Sequence, residues 1–265
     1  MIKYSIIVPH YSHPLDELIK QADRRNDVEI IAAMTGESDV DLGRSQHKKI
    51  KCVRCGYGKA VNTAFRESNG EILVIMNDDV ILEEDFFEKL DSMEFEALIP
   101  RVIDAKSNET ESVYAVVDIF GYGRLRKRVV SNETPFVPGS VFAIKRNRFE
   151  KTGMFDEDYF MYYEDIDFSA NLIKEIFPVI ASDIIAYHKH SFSDRGMKRY
   201  FLQRNRLLFI LKNCSSALLV FFVLYAMTFE TLVMVLQIIK QKSILPLKAR
   251  IDFFKMFPLF YRKRK

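Results

Sequence analysis

Short apolar blocks alternate with amphipathic stretches over most of the chain. Tyr4-Ser5-Ile6-Ile7-Val8 is a β-branched run closed by Pro9 and predicts a buried first strand. Residues 15–24 have helical spacing, residues 28–33 read as a second strand, and residues 51–54 as a short third. Gly56-Tyr57-Gly58-Lys59 reads as a glycine turn. It precedes a helix over 60–68 with Val61, Ala64 and Phe65 on one face. Then comes Ile72-Leu73-Val74-Ile75-Met76, five apolar residues of which three are β-branched, as a strand buried on both faces requires. Beyond it, Leu82, Phe86, Phe87 and Leu90 are spaced as in a helix with acids in its first turns. Strands are expected again at 97–103, 113–120, 141–144 and 179–186. A short helix and turn is expected at 149–155, and a helical face at Ile166, Leu172, Ile173 and Ile176. Gly121-Tyr122-Gly123 with the basic run Arg124, Arg126, Lys127 and Arg128 reads as a loop. The alternation predicts an α/β chain with a mostly parallel sheet and helices on both faces.

From Leu207 the pattern changes. Residues 214–229 carry no charge, Glu230 intervenes, and residues 231–239 are again uncharged. This length would just span a bilayer. A glutamate in its middle is costly there, and basic flanks on both sides give no inside–outside asymmetry. Two helices lying in the membrane interface fit better. The last stretch sets Phe253, Phe254, Phe257, Phe260 and Tyr261 among lysines and arginines, with Asp252 the one acid after Lys240. It reads as an aromatic-basic anchor for anionic lipid. A dimerisation arm of a homo-oligomer is the soluble alternative.

Two acidic stretches carry candidate chemistry. Asn77-Asp78-Asp79 ends the central strand, and in open α/β sheets ligands bind beyond the carboxyl ends of strands. Hard cations take oxygen ligands, and a nucleoside diphosphate needs a cation to neutralise it. A helix cap accounts for one such residue, not for three. The second stretch is Tyr163-Glu164-Asp165-Ile166-Asp167, three carboxylates behind a run of large, mostly aromatic residues. Acids at a helix start favour its dipole. Acids beside an apolar wall also have their ionisation perturbed, which is how a general base is made. His188, just past a strand end, can reach the same crevice as Asp79.

Composition sets limits. The 265 residues, 48% hydrophobic, suffice for one large domain with an appendage. A net charge of +3 is not that of a nucleic-acid polycation, and no nucleic-acid partner is expected. Three cysteines make no disulfide framework. Cys52 and Cys55 form a lone C-x-x-C with no second pair of zinc ligands, which leaves a redox pair as the functional reading. A reducing, cytosolic setting is the default, and a strand starting near Met1 leaves no signal peptide expected.

Taken in order, these stretches resemble the family 2 inverting glycosyltransferases of GT-A fold, especially their rhamnosyltransferase-like members. The resemblance covers residues 4–213. It is carried by Ser5-Ile6-Ile7-Val8-Pro9, by Gly56-Tyr57-Gly58-Lys59-Ala60-Val61-Asn62, and by Asn77-Asp78-Asp79 at the Asp-x-Asp position. Phe155-Asp156-Glu157 followed by Tyr163-Glu164-Asp165-Ile166-Asp167 matches the Glu-Asp motif. His188 with Ser193 matches the His-x4-Ser run, and Arg204-Asn205 opens the C-terminal arm. There is one departure. Met34 lies where the family usually has a base-contacting Asp, and Asp39 matches a later acid.

The resemblance implies a GT-A catalytic domain over residues 1–206 and a C-terminal helical membrane-association region over 207–265. It implies that Asp79, with Asn77 and His188, ligates Mg2+ or Mn2+, and that Asp165, flanked by Glu164, is the catalytic base. The donor, a UDP- or dTDP-sugar, is expected at Pro9, Tyr11, Asp39, Lys59, Asn62 and Asp78. The acceptor, lipid-linked or another glycan, is expected beside Gly139 and Asp167. The expected location is the cytoplasmic face of the cell membrane. The alternatives are a nucleotidyltransferase, which would carry a glycine-rich basic signature where His10-Tyr11-Ser12-His13-Pro14 stands, and a non-catalytic scaffold with a decayed site.

Overall fold

The computed structural model describes residues 1–36, 39–175, 178–190 and 195–264. Ile176, Ser193 and residues 37–38 fall outside these. Contacts divide the chain into two units, Met1–Val117 with Gly123–Ser191, and Asp118–Tyr122 with Phe192–Lys265.

The first unit begins with β1 (Tyr4–His10), α1 (Asp16–Ala22), β2 (Val28–Met34), β3 (Lys48–Lys51), α2 (Tyr57–Glu67) and β4 (Ile72–Met76). It continues with β5 (Val80–Leu82), α3 (Phe86–Asp91), β6 (Ala97–Asp104), β7 (Thr110–Ser112), β8 (Tyr114–Val117) and β9 (Gly123–Arg126). It closes with β10 (Val141–Lys145), α4 (Arg146–Lys151), α5 (Glu164–Lys174) and β11 (Val179–His188). The main sheet runs β3-β2-β1-β4-β10-β6-β11-β5, with β7 on the side of β6. β3, β2, β1 and β4 are parallel. β10 enters antiparallel to both neighbours, which returns β6 and β11 to the direction of β1. β5 and β7 run against them.

The continuous apolar runs feed both faces of this sheet. Ile6, Val8, Ile30, Ala32, Val74 and Met76 pack on one side with Leu18 of α1 and Phe86 and Phe87 of α3. Ile7, Ile31, Ala33, Leu73 and Ile75 pack on the other with Val61 and Phe65 of α2, Phe149 of α4, and Phe168 and Leu172 of α5. Strict alternation within an all-apolar strand is what helices on both faces demand.

Several local expectations are corrected. The third strand is 48–51, not 51–54, because Lys48 to Lys51 pair with Ile31 to Met34. The glycine turn at 56–59 is already the first turn of α2. Residues 80–82 are a strand and not the start of a helix: Val80 and Leu82 pair antiparallel with His188 and Ala186, a partner supplied from far along the chain. The basic run at 123–126 is a strand, since it pairs with Tyr114–Val117. Cys52 and Cys55 are joined as a disulfide in the turn between β3 and α2, and Cys214 is free.

The second unit contains α6 (Arg195–Asn213), α7 (Ser216–Tyr225), a π turn over Ala226–Glu230, α8 (Thr231–Gln241) and α9 (Leu245–Arg262). The expected boundary after Arg206 therefore falls inside α6. Glu230 is buried and accepts hydrogen bonds from Arg206, at 2.6 Å, and from Arg250. Burial works against its charge, but the two guanidiniums outweigh this and hold its pKa below the usual glutamate value. No helix among the described residues is long and apolar enough to cross a membrane. Val220, Leu224, Phe229, Leu232, Leu236 and Ile239 are nevertheless exposed.

Candidate active site

The β4 run ends at Met76, and the sheet neighbour of β4 anchors the next residue: Asn77 N–H donates to the carbonyl of Ser140, just before β10. The three polar residues then separate by role. Asp78 turns toward the loop after β1. Its Oδ2 accepts the backbone N–H groups of Tyr11 at 2.8 Å, Ser12 at 3.0 Å and His13 at 3.2 Å. Burial works to raise its pKa, but a hydrogen bond from His10 and these three donors outweigh it, and the carboxyl lies below its usual range. Asp78 was expected to contact the donor. Its Oδ2 is instead engaged by the loop backbone, so it shapes the loop that carries Pro9 and Tyr11.

Asp79 is 5% exposed and turns toward β11, with its Oδ1 3.3 Å from His188 Nε2. The other ring nitrogen of His188, Nδ1, lies 2.9 Å from Glu111 Oε2. Burial works against the imidazolium, but the hydrogen bonds to Asp79 and Glu111 outweigh it and push the His188 pKa up to about 9. A carboxylate and an imidazole thus meet where β4 and β11 end, with the half-buried Asn77 two residues before Asp79. That donor set suits a hard-to-borderline divalent cation.

The second acidic stretch opens α5. Asp165 Oδ2 accepts the N–H of Gly139 at 2.8 Å, and Oδ1 accepts the N–H of Ile166 at 2.9 Å. Burial raises its pKa against these two donors, which work to lower it. Glu164 is 5% exposed, and among the described residues no hydrogen-bond donor reaches its Oε2. Burial and the charge of Asp165 push its pKa well above the ordinary value. The environments separate two adjacent carboxyls. Both are pushed up, and Asp165, with its backbone donors, is the more readily ionised of the two.

The segment leading into this pair is held in an unusual backbone shape. Phe160, Tyr162 and Tyr163 have φ of 68°, 64° and 75°. Left-handed geometry in aromatic residues persists only where surroundings enforce it, and it concentrates at functional sites. Here Tyr57 N–H donates to the Phe160 carbonyl at 2.7 Å, and a Cβ on Gly56 would lie 2.0 Å from the same oxygen. Only glycine lets α2 approach so closely. The Tyr57 hydroxyl donates to the carbonyl of Gly139 at 2.7 Å. Its pKa is driven far up by burial, then by the charges of Glu164, Asp165 and Asp79. Tyr57, absent from the expected site residues, thus braces the Gly139 turn that holds Asp165.

Two further expectations change. Asn62 was expected at the donor. Its Oδ1 accepts Phe155 N–H at 3.1 Å, and its Nδ2 donates to the Phe155 carbonyl at 2.9 Å and to Glu157 at 3.0 Å. This buried amide is a latch on the loop before Glu164. Asp167 was expected on the acceptor side. It is 1% exposed and accepts the Tyr159 hydroxyl at 3.2 Å, which makes it a support beneath the same loop. Lys59 is exposed on α2, and Asp39 is exposed and paired with Lys49 at 2.9 Å. Gly139, expected on the acceptor side, lies against Asp165.

The sequence description of glycosyl transferase family 2 matches residues 5–153, more than half of the chain. No curated protein matches at a significant level. Among solved structures, residues 1–349 of TarS from S. aureus in complex with UDP-GlcNAc superpose with a TM-score of 0.54 at 14% identity, over 81% of this chain and 68% of that one. The mannosyltransferase PcManGT from Pyrobaculum calidifontis, solved with GDP-Man and Mn2+, gives 0.53 at 17% identity, over 79% and 63%. GalNAc-T7, solved with UDP, GalNAc and Mn2+, gives 0.60 at 13% identity, over 79% and 48%. This chain therefore spans between about half and two-thirds of their lengths, and likeness at such identity establishes the fold alone. The sheet order, the acidic turn after β4 and the sequence match converge: the chain belongs to glycosyl transferase family 2.

Proposed function

We propose that the chain is an inverting, rhamnosyltransferase-like glycosyltransferase. It moves a sugar from a UDP- or dTDP-sugar to a hydroxyl of a lipid-linked glycan at the cytoplasmic face of the cell membrane. The observation that carries this reading is that residues 139–140 touch both acidic stretches: the Ser140 carbonyl accepts Asn77 N–H at 2.9 Å, and Gly139 N–H donates to Asp165 at 2.8 Å. This supports a cation ligand and a base sharing one crevice at the carboxyl ends of the strands. Asp79, Asn77 and His188 would hold Mg2+ or Mn2+, and the Mn2+ and nucleotide sugars in the similar structures support that choice. When bound, such an ion neutralises the negative charge that develops on a departing diphosphate.

The chain's own residues do the rest. Asp165 takes the proton of the acceptor hydroxyl as that oxygen bonds to the anomeric carbon. The bond from that carbon to the diphosphate breaks, and the nucleoside diphosphate leaves with the electron pair. One displacement inverts the carbon. Gly139 N–H fixes the direction of the Asp165 carboxylate, and burial of Glu164 disfavours a second charge beside it. The exposed apolar residues of α7 and α8, with the basic tail of α9, support attachment to a lipid surface.

The test uses the full chain, a panel of UDP-, dTDP- and GDP-sugars, and Mn2+. Asp165→Asn is expected to bind donor as the parent does and to lose roughly two to four orders of magnitude in turnover, the scale of a general base. Asp79→Ala is expected to lose the metal dependence of nucleotide binding. Parental turnover in Asp165→Asn would move the base elsewhere, and unchanged metal dependence in Asp79→Ala would reduce the acidic turn to a cap.

A further inference from the structure

His188 does not stand alone at the end of β11. Its Nε2 faces Asp79, and its Nδ1 is 2.9 Å from Glu111 Oε2. Glu111 is the middle residue of β7, and the register between β6 and β7 slips at that point: Val102 pairs with Ser112, and Ile103 pairs with Thr110. Glu111 is the extra residue of this irregularity. Bulges re-aim a side chain without breaking the sheet. Here the bulge turns a carboxylate toward the end of β11, where His188 pairs in register with Asp104. The same Glu111 oxygen lies 3.3 Å from His190 Nε2, and that nitrogen lies 3.1 Å from Asp104 Oδ2. Glu111 has 19% of its side chain exposed, so its contact with the ring is sheltered.

We propose that Glu111 is a positioning residue for the metal ligand His188. It accepts the Nδ1 hydrogen, fixes the ring plane, and leaves Nε2 as the nitrogen that faces Asp79. The inference rests on the assignment of Asp79 and His188 to the cation. An imidazole has two ring nitrogens and one rotatable ring. Without a fixed acceptor it can turn either nitrogen inward, with or without its hydrogen. A fixed acceptor on the outer nitrogen removes that choice and orients the ring. His190 extends the arrangement on the far side, held between Glu111 and Asp104.

The experiment titrates Mn2+ into the full-length protein and follows free Mn2+ by electron paramagnetic resonance, so that no turnover is needed. Glu111→Ala is expected to weaken Mn2+ binding by roughly 10- to 100-fold, the usual effect of losing such a partner. Glu111→Asp keeps the charge but retracts the oxygen by one methylene, and is expected to weaken it by about tenfold. Glu111→Gln keeps an acceptor at the same reach without the charge and is expected to stay within about fivefold of the parent. Equal losses in the Gln and Ala variants would overturn the proposal, because a role through charge alone predicts that pattern. Parental affinity in Glu111→Ala, with the loss retained in Asp79→Ala, would overturn it and leave the metal assignment standing. Parental affinity in both Asp79→Ala and His188→Ala would instead overturn the metal assignment and the proposal with it. Should the Ala variant fail to fold, the contrast between Asp and Gln decides, since only orientation predicts that the charged variant binds more weakly than the neutral one.

Discussion

Gly139 and Asp165 are in direct contact: the backbone N–H of one donates to Oδ2 of the other at 2.8 Å, and a Cβ on Gly139 would lie 3.0 Å from that oxygen. A methyl group there makes the carboxylate give by a few tenths of an ångström and displaces it from its hydrogen-bonded position. Gly139→Ala is therefore expected to lower kcat by roughly 10- to 100-fold, the effect of a misplacement well under an ångström to about one ångström. The KM for donor should change little. Steady-state kinetics on the variant check this, and a rise in donor KM with unchanged kcat would contradict it.

Glu164 gives a pH signature. Its folded pKa lies well above 4.5, so between that value and the raised one the unfolded chain releases a proton that the fold retains. The neutral carboxyl contributes stability below pH 4.5, and this is lost as pH rises through the folded value, at about 1.4 kcal/mol per unit of separation. Glu164→Gln mimics the neutral form at every pH. Its melting temperature should exceed that of the parent at pH 7, and the gap should close as pH falls toward 4.5. Paired thermal scans across that range test it. A gap that is constant with pH would show that Glu164 is ionised throughout.

Asn62→Ala removes the partner of both Phe155 backbone groups. Leaving buried backbone groups unsatisfied costs roughly 1–3 kcal/mol. The variant should unfold at lower urea while binding donor normally at temperatures where it stays folded. Calorimetric titration with nucleotide sugar below its melting point would expose a direct donor contact if one exists.

The second unit yields two linked expectations. Glu230→Ala leaves Arg206 and Arg250, at 4% and 17% side-chain exposure, without their carboxylate. Breaking a buried pair from one side costs about 3–5 kcal/mol, so the variant should melt well below the parent. The intact chain should float with anionic vesicles at low salt and release in part at high salt, because basic attraction is screened while apolar contact is not. Retention through alkaline carbonate would contradict a flat-lying attachment.

The strands and the two acidic stretches were legible because burial on both faces writes itself as unbroken apolar runs, and because a run ending in three polar residues marks a strand end. What stayed hidden was long-range pairing. Residues 80–82 are β-structured only because β11 reaches them, and Glu111 gains its position from a bulge that no local pattern announces. The hydrogen bonds of Asn62, Asp78 and Asp167 stayed hidden for one shared reason. The motif marks where a polar side chain sits, while its hydrogen-bond partners decide whether it faces a ligand or the chain itself. Glu230 was read as costly within a span, but its two arginine partners come from α6 and α9 and could not be paired from spacing.

A ring of backbone N–H groups is how many loops seize phosphate. The loop of Tyr11, Ser12 and His13 forms such a cup, and the chain plugs it with its own Asp78. The three donors are spent within the chain, so the loop's shape is set by a residue of a different strand end. The end of β1 and the turn after β4 are thereby tied at one carboxylate oxygen, and a change at Asp78 would release both at once.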